Sequence, residues 1–487
     1  MHPFEQLLLV LASIPLLIFP ESKILFQIIM LAGTVITIHL FYRMMKHPHL
    51  FKLGNVASFS ILFGYVVSTT VHSITNTIIY GNVDYRANFY GLNYSQTDIS
   101  VALVIVLGIS ILLSVISRFE KQLLVMDKLR AGLSRRATWI IIFSTILVMI
   151  AFANGDISFM GVYLNEELRR ISPLGALCFI MIPILATISA AVYFDSHFQF
   201  IKSRRLFLIL AFILCVSLVP VGRRVLIYTL ILILFLRGPH IIKKVHKRGT
   251  GIFHMLLILL IISVIIFYGF RVFYAFRIAV STMAVGKKPP TMEIVPHVVD
   301  LFQHSSGRAD IHEKLVKNIS YRFFTLSYLA GLIAAHYEHE TPVLGELKHA
   351  LALAIPSFIY SKKAQLPPAP ENFVHPSLGL PVFDGPNTII TSGLNDMGWI
   401  GMIIYPVGIV ALYILLYRLV CARCPPFLSA FIVLHFLYSL LYIENSLGRW
   451  VGSGLRDLAV VSFGYWIILK LPLKQLITKQ IKRASNA

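Results

Sequence analysis

The chain reads as an all-α polytopic membrane protein, and three observations lead there. Of its 487 residues, 57% are hydrophobic and only 13% charged, with a mean hydropathy of +0.77. A soluble domain carries roughly a quarter charged residues, and a disordered chain needs still more. Second, the apolar residues gather into runs approaching the ~17–25 residues that span a bilayer. Third, the excess of 43 Lys+Arg over 22 Asp+Glu, a net charge of +21, is distributed unevenly between alternate connections of those runs.

Twelve runs qualify: 4–19, 24–42, 56–79, 99–117, 137–153, 174–194, 206–221, 224–236, 252–270, 397–417, 427–443 and 457–469. The first has no small-residue cleavage site behind it and reads as a retained helix. The seventh and eighth are short, and become plausible as a hairpin turning at Gly222. Both ends of the 206–236 stretch are basic, so both belong on one side.

With the N-terminus cytoplasmic and strict alternation, the cytoplasmic segments are Arg43–Asn55, Arg118–Arg136, Asp195–Arg205, Arg237–Gly251, Arg418–Pro426 and Lys470–Ala487. They hold 24 of the basic residues against four carboxylates on that side: Glu5, Glu120, Asp127 and Asp195. The outward segments hold 19 basic and 18 acidic residues. The inside is thus +20 and the outside +1, as positive-inside insertion requires. Nucleic acid is not needed to explain the basic balance.

On this layout residues 1–270 carry nine spans, and 397–487 carry three spans and a basic cytoplasmic tail. Residues 271–396 form a large outer loop of about 126 residues. Within that loop Ala309–Glu338 has a helical spacing of apolar residues at Leu315, Ile319, Phe323, Leu326, Leu329 and Ile333. Leu344–Tyr360 is a second helical piece, and the proline-rich 361–386 predicts little regular structure. Segments 323–335 and 347–360 either lie at the bilayer interface, the preferred reading, or form a re-entrant pair. A folded outer loop of this size points to chemistry or recognition at the outer face.

No Asp, Glu, Lys or Arg lies deep in any run, which disfavours an ion-coupled transporter. His39, His72, His254 and His435 are scattered, Cys421 and Cys424 form a lone C-x-x-C pair, and no phosphate-loop or metal-ligand motif is present. The outer face holds eleven arginines, among them Arg223 and Arg224 at the hairpin turn, Arg271 and Arg277 after the ninth run, Arg322 in the loop, and Arg449 and Arg456 before the last run. Guanidinium grips phosphate oxygens bidentately and stays charged. The doublet at the hairpin turn needs a partner, and no acidic residue is adjacent to it in sequence.

Two stretches resemble the bacterial O-antigen polymerases and the related O-antigen ligases. One is VPVGRRVLIYTLILILFL, Val219–Leu236, similar to their arginine-bearing helix start at the periplasmic edge. The other is PNTIITSGLNDMGWIG, Pro386–Gly401, similar to the element leading from their large loop into the next span. Ligases carry a His just before the Asn of this second element. Here Pro386 precedes Asn387 and the nearest upstream histidine is His375, which favours the polymerase.

The resemblance implies a GT-C-like fold and a glycosyltransferase of polysaccharide, and specifically lipopolysaccharide, biosynthesis in the bacterial inner membrane, its active site facing the periplasm. Its donor and acceptor are undecaprenyl-diphosphate-linked glycans, and a chain-length regulator is a further implied partner. With no D-x-D pair for a metal, arginines are the available stabilisers of the diphosphate leaving group, so no metal or other cofactor is expected. The expected catalytic residues are Arg223, Arg224, His375 and Asp396, with His375, Asp384 and Asp396 the alternatives for a base. Arg271, Arg277, Arg322, Arg449 and Asn387 are expected to bind substrate. A ligase or other lipid-linked-sugar transferase, and a flippase or exporter, are the competing readings.

Overall fold

The computed structural model describes residues 3–80, 92–154, 156–157, 173–195, 204–221, 223–246, 268, 271–272, 274–276, 278–279, 291–304, 306–311, 325–355, 359–360, 365–367, 369–382 and 385–470. The expected ninth span lies outside these residues except for Tyr268. So do Arg277, Arg322 and Asp384, and of Arg223 only the backbone is described.

Among the described residues the chain is helical, with no strand. Six helices are long and apolar enough to cross a membrane: Lys23–Lys46, Leu53–Ile74, Gln96–Phe119, Arg135–Ala153, Leu174–Phe194 and Ile389–Val420. Phe4–Ile18, Arg205–Leu218, Thr325–His336 and Pro426–Leu441 are apolar but shorter. The outward faces of several helices are as apolar as their packed faces. Along helix Lys23–Lys46, Ile24, Ile28, Leu31, Val35 and Ile38 recur every three or four residues and are all more than half exposed. Trp139, Phe143, Ile146 and Ile150 make a similar stripe on helix Arg135–Ala153. Contiguous apolar stripes of this extent suit lipid rather than water.

Between helices, packing is helped by small polar contacts. Gln6 Nε2 donates to Ser58 Oγ at 2.8 Å, and Ser58 also meets Ser110 and Ser114, each at 3.1 Å. These ties join three helices where water cannot compete, each a modest contribution.

At one end of the bundle, basic side chains from one segment reach the last carbonyls of another segment's helix. Lys52 Nζ donates to Ser117 O at 2.9 Å, Arg136 to Leu469 O at 2.8 Å, Arg418 to Phe119 O at 3.2 Å, and Arg237 to Phe194 O. A helix leaves its last four carbonyls without internal partners and carries partial negative charge there. The carboxylates at this end work in two ways. Glu120 accepts from Leu53 N at 2.7 Å and Gly54 N at 3.1 Å, so it caps the start of helix Leu53–Ile61. Asp195 lies between Arg130, at 2.9 Å, and Arg237, at 3.4 Å. The segments around residues 52, 118–136, 195, 237, 418 and 469 therefore meet at one end.

Three departures from α-helix matter for the other end. Leu62–Val67 and Gly452–Asp457 are π turns, which widen a helix by one residue and recur at functional sites. In the first, the hydroxyls of Ser68, Thr69 and Thr70 return to the carbonyls of Gly64, Tyr65 and Val66. The third is at Gly398, where φ is +61° and ψ is −145° inside Ile389–Arg423. The chain folds there into a short arm and a long helix. Gly393 and Gly401 press backbone to backbone across the bend, leaving no room for a Cβ on either.

The large loop differs from expectation in three respects. Helix Thr325–His336 is not laid on an interface: Leu326, Tyr328, Leu329, Ala330, Leu332 and Ile333 are all fully buried, against protein that includes helix Gln96–Ile116. The proline-rich stretch contains a helix, Glu371–Ser377. The helix after the loop begins at Ile389 rather than 397, because Thr388 and Thr391 form a reciprocal cap that starts it early.

Two outcomes test this packing. Asp195→Ala removes the carboxylate from the buried Arg237 guanidinium and is expected to cost about 3–5 kcal/mol, read as a lowered thermal midpoint in detergent. Gly401→Val forces the bend apart and should lower the midpoint further than Gly408→Val, whose added Cβ meets open space.

Candidate functional site

At the end opposite the basic contacts, three side-chain clusters lie close together. The first is built on Arg224, in the first turn of helix Arg223–His246. Its partner is Glu444, with which it forms an ion pair. Glu444 stands in the short non-helical segment between helices Pro426–Leu441 and Leu447–Val451. Two residues earlier, the ring of Tyr442 lies 4.3 Å from the guanidinium carbon of Arg449 and meets the Tyr228 ring edge-on at 5.3 Å. Arg449 thus stands on Tyr442, two residues before the Glu444 that pairs with Arg224. The Arg224 and Glu444 side chains are 22% and 13% exposed, so the pair sits below the surface and can still be reached. An arginine stacked on tyrosine keeps its edge N–H groups available to an anion.

The second cluster is fully buried. The Tyr328 hydroxyl is 2.9 Å from both His375 Nε2 and Asn387 Oδ1. Beside Asn387, the Tyr65 hydroxyl meets Thr388 Oγ1 at 2.6 Å. Burial holds the His375 imidazole down at about 4, with a hydrogen bond to the Pro381 backbone opposing it. His375 is therefore neutral at physiological pH. Its contact is with Tyr328, and no part of it reaches the surface.

The third cluster docks the loop. Asp396 accepts from Glu346 N at 2.7 Å, Leu347 N at 2.9 Å and the Tyr405 hydroxyl at 2.7 Å. It caps the start of helix Gly345–Ala354, where the N–H groups lack internal partners. Asn395 Nδ2 donates to Glu346 Oε1 at 2.7 Å. Glu346 is 1% exposed, and burial pushes its carboxyl up to about 7 against that hydrogen bond. At the far end of the same helix Arg456 donates to Leu353 O at 3.1 Å.

The segment 441–447 joins the clusters. Ser60 Oγ donates to Leu441 O at 3.0 Å, Ile443 packs on Gly64 of the first π turn, and Leu447 N donates to Ser392 Oγ at 3.3 Å. Of the expected site residues, the structure brings Arg224 and Arg449 together around Tyr442 and Glu444. It brings His375 and Asn387 together through Tyr328. Asp396 stands as a helix cap with both carboxylate oxygens occupied. Arg271 is half-buried at the head of a segment whose Tyr274, Ala275, Ile278 and Ala279 form a separate small core with Ile294, Val298 and Ile311.

Sequence reasoning missed Glu444, Tyr442, Tyr228, Tyr328 and Glu346. For Glu444 a clue existed: a sub-surface arginine doublet demands a carboxylate, though not one adjacent in sequence. Comparison with protein-family models, curated proteins and solved structures finds no match to this chain.

The linkage of His375 gives a pH test. A neutral folded-state imidazole opposes protonation that the unfolded chain accepts near 6.5, so its contribution is full above 6.5. It is lost as pH falls from 6.5 toward 4, by up to about 3 kcal/mol. Glu346 acts in the opposite sense, since its raised value makes the fold lose stability as pH rises from about 4.5 to 7. The detergent melting midpoint of His375→Gln should therefore fall less than wild type between pH 6.5 and 4.

Proposed function

We propose that the chain is a metal-independent membrane glycosyltransferase. It joins undecaprenyl-diphosphate-linked repeat units at the outer face of the inner membrane, with release of undecaprenyl diphosphate. The observation that supports this most is the meeting of the two O-antigen-polymerase-like stretches on one short segment. Arg224, from Val219–Leu236, pairs with Glu444, and Ser392, from Pro386–Gly401, accepts from Leu447 N. Arg449 joins the same place.

A departing lipid diphosphate needs its developing negative charge stabilised, and two guanidinium groups in a partly dehydrated pocket supply that. Such a leaving group departs without a strong acid, so arginines suffice. In this reading Arg224 and Arg449 hold the donor diphosphate, with Arg223, Arg271, Arg277 and Arg322 as further phosphate or sugar contacts. The His375–Tyr328–Asn387 chain shapes the floor of the site. A ligase is the second reading, and it draws on one observation: His375 lies near the motif Asn387 in space, through Tyr328, although not in sequence.

The test is purified protein in vesicles with lipid-linked repeat units and a chelator. A ladder of polymer is expected, and failure of wild-type protein to extend the units overturns the reading. Arg224→Ala should reduce the rate about 10²–10³-fold, and Arg224→Lys should recover little, since it lacks the bidentate edge. In cells, loss of the gene should leave single repeat units on the outer lipid. Long polymer stranded on its carrier would instead support the ligase.

A further inference from the structure

The Arg224–Glu444 pair raises a question that the proposed reaction does not answer. If Arg224 gives a diphosphate the donors that Glu444 now holds, the carboxylate must yield them. Glu444 Oε2 stands on Arg224 Nη1, so a phosphate that takes the same donors competes with the carboxylate and is repelled by its charge. Glu444 is well placed for such exchange. It belongs to the non-helical segment 442–446, so its backbone is not fixed by a helical ladder. Among the described residues, Tyr228 and Tyr438 stand beside Tyr442, two residues before Glu444.

We infer that Glu444 is a placeholder anion: it occupies the Arg224 guanidinium in the resting enzyme, yields it to the donor diphosphate, and returns to displace the product lipid diphosphate. This rests on the proposed transferase reading. The physical reason for such a residue is product release. The donor and the product both carry a diphosphate, and a half-buried pair of arginines with no competing carboxylate would hold the product as firmly as the donor. Uniform tight binding of that kind lowers KM without helping turnover. A tethered carboxylate re-enters at high effective concentration, weakening the grip on both diphosphates and keeping the site from filling with product. Neither bond-making nor proton transfer is assigned to Glu444 here; it is a positioning residue acting through Arg224.

The experiment measures binding of undecaprenyl diphosphate, and of the shorter farnesyl diphosphate, to purified wild-type protein and to Glu444→Gln, Glu444→Asp and Arg224→Ala. Glu444→Gln keeps the shape and removes the competing charge. It should bind both diphosphates about 10-fold or more tightly, the scale of one partly buried charge pair, and show reduced KM and reduced kcat together. Glu444→Asp should fall between it and wild type, which separates the charge from a folding defect. Binding by Glu444→Gln equal to or weaker than wild type, with a detergent melt as firm as wild type, overturns the placeholder role. So does a fall in kcat with affinity unchanged, the pattern of a proton acceptor. Failure of the underlying reading looks different: Arg224→Ala would then bind diphosphate as wild type does, whatever Glu444→Gln shows.

Discussion

A helix cannot end in an apolar slab without something to receive its last carbonyls and first N–H groups, and this requirement organises the whole molecule. At the basic end, lysines and arginines at or near the end of one helix reach the carbonyl terminus of another, as Lys52 does for Ser117 and Arg136 for Leu469. At the other end carboxylates and hydroxyls receive helix starts: Asp98 with Ser95, Thr391 with Thr388, and Asp396 for the loop helix. The basic residues gathered at the basic end thus close its helices.

The site follows from the same economy. Where the helices stop being regular, polar atoms are released and must be paired, and they are paired with one another. The π turn at Leu62–Val67 lets Tyr65 reach Thr388. The bend at Gly398 turns the arm carrying Ser392, Asn395 and Asp396 back toward the loop helix. The break at 442–446 frees Glu444 for Arg224. Helix Thr325–His336, buried among the spans, brings Tyr328 between His375 and Asn387. Among the described residues these three breaks bring the polar clusters to one end of the bundle.

Much of this could be read from the residues, and the rest could not for identifiable reasons. Helical runs are legible because apolar residues in lipid and in a core look alike, so composition alone marks them. The same fact hides which face is which: the stripe Ile24–Ile38 and the packed face of the same helix have one chemistry. The start at Ile389 was obscured by Asn395 and Asp396, polar residues that resemble a loop until Thr388 is seen to cap a helix beneath them. Segment 323–335 is apolar enough to suit a bilayer interface, and the same apolar side chains, Leu326 to Ile333, are instead buried against protein. The arginines were legible as a class, since guanidinium grips a phosphate bidentately and keeps its charge. Their partner was not, because sequence distance says nothing about a carboxylate across a bundle.

That distance bears on how the molecule comes into being. Arg224 is made more than two hundred residues before Glu444, which at about 5–20 residues per second is an interval on the order of ten seconds or more. During it the hairpin and its guanidinium groups are already at the membrane surface with neither Tyr442 nor Glu444 in place. Helix Gly345–Ala354 likewise waits for Asp396 and then Arg456 before both its ends are closed. The last spans therefore do not simply extend a finished bundle. They act as its keystone, and a nascent chain halted before residue 444 holds Arg224 without Glu444 or Arg449.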